Sequence, residues 1–457
     1  LDTTIVNVAL DTLGHDLHST IAQIQWVATG YLLALAAVIP LTGWAARRFG
    51  AKRVYLVSIA LFTIGSALCG VAGSSTSLIL FRVLQGIGGG MIMPVAQMIM
   101  AEVAGPKRMG RVMGVVVMPA MLAPILGPVV GGLILQNLHW SWIFFVNVPI
   151  GMVAAFLGFR MLPDSDLGEA GKLDWIGLVL LATSMPLIVY GLSEIATRES
   201  FTAPTVVLPI IAGLLLTVAF FWHALRVERP LLDVRLYANR IFAAASLTTF
   251  GLGAALFGAM ILVPLYYQQV RGESVIVTGL LVGPQGLGML LVAPWIARMT
   301  DRFGGGRVAF VGVSVLTLSS LPLAFIGTDT SILFISLVLL VRGVGIGLSF
   351  IPTTTVAFAA LRTDQLSDAT PQMNVLQRIG GAIGTAVLAV VLQRASAGVH
   401  GPVELAGAFG TAYWWALGIC AASLIPVLVL LRAEGPKEGA PTPAVEAAEE
   451  FVEPIGA

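Results

Sequence analysis

The sequence predicts an all-α polytopic membrane protein, and three observations carry that expectation. Of its 457 residues, 57% are hydrophobic and 11% are charged, whereas a soluble domain is about 25% charged. The apolar residues fall in runs of roughly 20, the length an α-helix needs to cross a bilayer core. The connections between runs are short and alternate between basic and nearly charge-free, the pattern of a chain threading back and forth.

In order, the runs lie near 1–14, 22–46, 54–73, 77–100, 110–136, 142–162, 174–193, 203–225, 241–270, 275–298, 307–326, 331–358, 372–393 and 406–431, about fourteen spans. The first run is short and does not begin with Met, so helix 1 is read as truncated. Gly (51) and Pro (24) are frequent. Membrane helices tolerate both, because neighbours satisfy freed backbone groups and small faces pack closely. One set of connections holds 19 of the 25 Lys and Arg; the other holds Arg198, Arg271 and Arg394, while Arg82, Arg342 and Arg378 fall within spans. The basic side is therefore expected to be cytoplasmic, with both termini there, in a plasma membrane. Residues 433–457 are rich in Pro, Ala and Glu and read as a disordered acidic tail. A net charge of +1 implies no nucleic-acid partner. Cys69 and Cys420 lie in spans and read as packing residues, not as a disulfide or metal site.

Asp2 stands apart as the one acid of 24 that falls within the apolar depth of a span. A charge there costs several kcal/mol unless paired or hydrated, which makes it a functional candidate. Its depth is about 12 residues, or roughly 18 Å, against about five residues and roughly 8 Å for Arg82. A direct Asp2–Arg82 pair then has some 10 Å of axial offset to close. Arg82 reads either as a snorkelling residue or as functional, and Arg342 and Arg378 are open in the same way.

The chain also repeats itself. Arg48-Phe49-Gly50 with Lys52 and Arg53 joins spans 2 and 3, and Asp301-Arg302-Phe303-Gly304 with Arg307 joins spans 10 and 11. Parallel halves place such turns in corresponding positions if spans 7 and 8 are an insert. That gives six spans in residues 1–162, two in 163–240 and six in 241–432.

These pieces resemble the major facilitator superfamily, specifically its fourteen-helix drug:proton antiporters. Gly43-Trp44-Ala45-Ala46-Arg47-Arg48-Phe49-Gly50-Ala51-Lys52-Arg53 is similar to the superfamily's loop motif. Arg82-Val83-Leu84-Gln85-Gly86 resembles its helix-4 motif, and Gly127-Pro128-Val129-Val130-Gly131-Gly132 the helix-5 motif of antiporters. Leu1 to Leu10 resembles the helix-1 motif of drug exporters, and Trp140 to Pro149 the motif at the start of helix 6. The resemblance implies a major facilitator fold, a proton-coupling role for Asp2 and Arg82, and a gating role for the loop residues, including Asp301, Arg302 and Gly304. Arg47 departs from the pattern, since the family usually has Asp there; Glu102 is expected to supply an acid to Arg48 or Arg53. Asp11, where the family has Pro, is expected at the outer rim.

Amphipathic or adaptable residues are expected to line a substrate cavity: Asn7, Tyr31, Gln85, Met118, Tyr267, Gln268 and Asn374, with Arg378. The expected function is proton-coupled export of amphipathic drugs or toxic compounds by alternating access, with Asp2 buried and unpaired when it takes up its proton. The partners are then a small substrate, protons and lipid, the single chain is the working unit, and no cofactor beyond the proton gradient is required. Narrow export of one metabolite or lipid is the alternative, and a non-transporting receptor or scaffold a remote one. No phosphate-binding Gly-rich loop suggests an ATP-driven pump, and no nucleophile–base constellation suggests an enzyme.

Overall fold

A computed structural model describes residues 2–163, 171–198, 201–362, 365–399 and 401–434. Within its helices, the side chains of residues 3, 7, 8, 11, 21, 22, 101, 102, 104–126, 128, 129, 196–198, 275 and 276 lie outside the description.

The first part of the chain forms α1 (Asp2–Asp16), α2 (Ile21–Val38), α3 (Thr42–Phe49), α4 (Ala51–Gly70), α5 (Ser75–Asn137), α6 (Trp142–Phe145) and α7 (Asn147–Met161). A central pair follows, α8 (Trp175–Arg198) and α9 (Pro204–Arg226). The rest forms α10 (Arg240–Gln269), α11 (Val275–Phe303), α12 (Gly305–Ser320), α13 (Ile332–Ala359), α14 (Leu366–Ser396), α15 (Pro402–Ala422) and α16 (Leu424–Glu434). Among the described residues, 12 segments are long and apolar enough to cross a membrane; α1, at 15 residues, is shorter.

Local chemistry sets the helix ends. Ser74 and Ser77 cap α5 reciprocally, each hydroxyl accepting from the other's backbone N–H. Asn239 caps α10 by accepting from the Ile241 and Phe242 amides, and Ser274 caps α11. Such caps satisfy amides that the first helical turn leaves unpaired. Inside the spans, hydroxyls such as those of Ser58, Thr248, Ser349 and Thr353 donate to the carbonyl four residues back. Water-free surroundings leave them few other acceptors.

Element α5 runs helically for 63 residues, about 95 Å if it were straight. Yet Arg82 near its start bonds Asp2, and Gly127 near its end lies against Thr4. Both points meet the first turn of α1, so the run doubles back between them and supplies two spans.

Helices α1 to α7 pack among themselves, as do α10 to α16, and the two halves meet mainly where α5 packs on α11. Helices α8 and α9 pair with each other, and α8 leans on both α2 and α14. Trp26 of α2 stacks on Tyr190 of α8 with centroids 5.9 Å apart, while Ala386 and Val390 of α14 share a cluster with Leu181, Met185 and Ile188 of α8. The outward faces are apolar: Phe159, Leu208, Leu215, Leu318 and Leu333 are all largely exposed, as lipid-facing residues are.

The sequence repeat is also a backbone repeat. Gly50 has φ 85° and ψ 136°, and Gly304 has φ 87° and ψ 144°. An L side chain rarely adopts this conformation, so both Arg-Phe-Gly turns require glycine.

Candidate functional site

Asp2 is 8% exposed and Arg82 is fully buried. One Asp2 oxygen accepts from Arg82 Nη1 at 2.7 Å. The other accepts from Gln85 Nε2 at 3.0 Å and Asn147 Nδ2 at 3.1 Å. Arg82 Nη1 also donates to Gln85 Oε1 at 2.7 Å, its Nε donates to the Val27 carbonyl at 3.2 Å, and its Cζ lies 4.0 Å from the Tyr31 ring centroid. The carboxylate is thus bound by donors on α5 and α7, and the guanidinium is shared among α1, α2 and α5. Residues Arg82 and Gln85 reach one acid because an i, i+3 pair shares a helix face.

One expectation is corrected here. The offset of some 10 Å is closed, so α1 and α5 are staggered: the depth arithmetic assumed level helix ends and left out the reach of an arginine side chain. Asp2 is paired in this conformation, since a charge so buried is retained only with a partner.

Small residues set the frame. A Cβ on Gly127 would lie 1.9 Å from Thr4 Oγ1, so glycine lets the second arm of α5 press α1 into place. Gly131 lies against Ile5, where a Cβ would sit 3.3 Å from its Cγ2, and Gly132 is half-buried.

On the basic-loop side the halves touch. Arg47 pairs with Asp368 of α14 at 3.0 Å and donates to Ser367 Oγ at 2.6 Å. A Cβ on Gly43 would lie 2.1 Å from the Ser367 carbonyl oxygen. Arg47 therefore has an acid, but it comes from the opposite half, which local sequence does not reveal. Deeper in, Asn374 Nδ2 donates to Gln97 Oε1 of α5 at 2.7 Å. A small cavity lies beside this contact, lined by Met93, Gln97, Thr249, Phe350, Met373 and Asn374.

The remaining expected site residues are scattered. Tyr31 and Gln85 belong to the Asp2 cluster, and Asn374 to the contact between halves. Tyr267 is fully buried in an apolar cluster of the second half, edge-on to Tyr266 and away from both places; aromatic bulk put it in the core. Gln268 is half-buried near the end of α10. Arg48, Arg53 and Asp301 are exposed, and Arg302 lies 5.3 Å from the Phe303 ring. The side chains of Asn7, Asp11, Glu102, Met118 and Pro128 lie outside the described residues. Asn147, Gln97, Ser367 and Asp368 were not among the residues expected at a site. Asn147 and Gln97 each left a signal, as an amide inside an apolar run.

Two sets of membrane-length helices, the first enclosing a buried polar cluster, make this a polytopic membrane protein. The chain belongs to the Major Facilitator Superfamily, whose family model matches residues 1–385, and within it to the multidrug-resistance type. It is 40% identical over 396 residues to the "Multidrug resistance protein B homolog" of Mycobacterium tuberculosis, covering 86% of this chain and 73% of that one. It is 31% identical over 396 residues to the "Multidrug export protein EmrB" of Escherichia coli K12, covering 85% and 76%. Among solved structures, the proton:xylose symporter XylE aligns with TM-score 0.63 at 15% identity, over 94% of this chain and 92% of that one. The human organic anion transporter MFSD10 aligns with TM-score 0.62 at 16% identity, over 92% and 88%. At such identities the likeness concerns the fold alone. Members of this family are transporters and not enzymes, and so is this protein.

Proposed function

We propose that the protein is a proton-coupled exporter of amphipathic compounds, with Asp2 as the proton carrier. The observation that supports this best is a buried carboxylate held by Arg82, Gln85 and Asn147 inside a transporter of multidrug type. Protonating Asp2 removes the charge that holds Arg82 and frees its guanidinium to move. Re-forming the pair expels the proton. Residues 1–162 and 241–432 act as the rocking halves and 163–240 as a linker pair. The basic side is cytoplasmic in a plasma membrane, and the Arg47–Asp368 contact closes it in this conformation. One charge crossing 100 mV supplies about 2.3 kcal/mol, under two decades of accumulation at about 1.4 kcal/mol each.

The test is efflux from liposomes holding the full chain, with an imposed pH gradient. Asp2→Asn is expected to lose gradient-driven export by at least about a hundredfold, the lower end of the usual scale for a proton-transfer group, while downhill exchange persists. Full gradient-driven export by that variant would remove Asp2 from the mechanism. Export by the unaltered protein that ignores collapse of the gradient would remove the antiport itself.

A further inference from the structure

Three arginines lie within the spans, and the structure treats them differently. Arg82 has Asp2. Arg342 is 2% exposed and enclosed in the second half, where it donates to Ser320 Oγ and the Ala255 carbonyl. Arg378 is partly exposed, yet it makes no hydrogen bond or ion pair with any described residue.

Its position is well defined. Arg378 lies near the middle of α14, one turn from Asn374 on the same helix face. Asn374 crosses to Gln97 of the other half. Val375, on the neighbouring face, packs on Tyr31 and Leu35 of α2 and on Ile39 just after it. The Tyr31 ring in turn lies 4.0 Å from the Arg82 guanidinium carbon. Arg378 is thus a cation at the boundary between the halves, one residue along α14 from Gln377, which lines the small cavity together with Met93, Phe350 and Met373.

The geometry points to Arg378 as the subsite for an anionic group of the substrate, making the cargo an amphipathic carboxylate. This rests on the exporter reading above. A guanidinium presents two parallel donors that match a carboxylate, and in a low-dielectric site that pair is strong. Charge balance follows. An anion leaving as one proton enters moves two positive-charge equivalents inward, so the membrane potential drives the cycle.

The test is equilibrium binding to the purified full chain with no pH gradient. Energy transfer from its nine tryptophans reports dansyl-phenylalanine and, separately, its neutral methyl ester. The carboxylate is expected to bind about tenfold tighter than the ester, on the scale of a charge-assisted pair. Arg378→Gln should abolish that preference by lowering carboxylate affinity to about that of the ester, and a cooperative thermal unfolding transition shows that the variant is folded. Arg378→Lys should restore part of it. Equal binding of the two probes, binding of neither, or a preference that survives Arg378→Gln would overturn the proposal. Binding needs no proton coupling, so failure of the antiport reading leaves this result standing. Gradient-driven export of the ester without any carboxylate preference would sink the anion subsite alone.

Discussion

Asp2 and Arg82 are best considered as a charge pair that neither partner leaves alone. Removing one partner of a buried pair strands the other and costs about 3–5 kcal/mol. Asp2→Asn should therefore lower stability by that order. Asp2→Asn with Arg82→Gln leaves no stranded charge and should recover most of it, still without proton coupling. Thermal unfolding in detergent checks this: a double variant no more stable than the single would argue against a true ion pair. At the other end of the molecule, Arg47 and Asp368 are partly exposed, so their pair is worth only about 0.5–1 kcal/mol. That still shifts the balance of the two halves a few-fold. Arg47→Asp should open the basic side, seen as faster thiol labelling of a cysteine placed at Ser367. Adding Asp368→Arg should reverse the change, and failure to do so would remove the pair from the closure.

At the scale of elements, the Arg-Phe-Gly turns are the informative ones. The turn before α12 is also clasped: the Gly305 and Gly306 amides donate to the Glu434 carboxylate at the end of α16. A carboxylate there meets the positive end of the helix dipole. Gly304→Ala forces a side chain into a conformation nearly reserved for glycine and should cost about 1–3 kcal/mol. Glu434→Gln keeps the shape, loses the charge, and should cost about 0.3–1 kcal/mol. Unfolding midpoints measured side by side check both, and the reverse ranking would contradict the assignment.

For the molecule as a whole, the proposed alternating access makes the contacts on the basic side a closure that opens during transport. Gln97 and Asn374 are the pair to trap. Gln97→Cys with Asn374→Cys should form a disulfide across the halves under oxidation, stop transport, and regain it on reduction. Undiminished transport by the cross-linked protein would contradict rocking halves.

Most of the fold was legible in the sequence, because bilayer thickness fixes the length of apolar runs and loop charge fixes their alternation. The deep acid Asp2 and the glycines of the repeated turns were legible for the same kind of reason: a charge in hydrocarbon and a positive φ both restrict residue type locally. The partners were not. Asp2 meets Arg82, Gln85 and Asn147, Arg47 meets Asp368, and Tyr267 turns into its own half, because helix stagger and rotation decide which side chains touch. Those are set by the packing of small faces such as Gly127 on Thr4 and Gly43 on Ser367, between residues far apart in the chain. Sequence alone determined which groups are too costly to be accidental; only the tertiary structure decided which of them neutralise one another, and which, like Arg378, are left without a partner among the described residues.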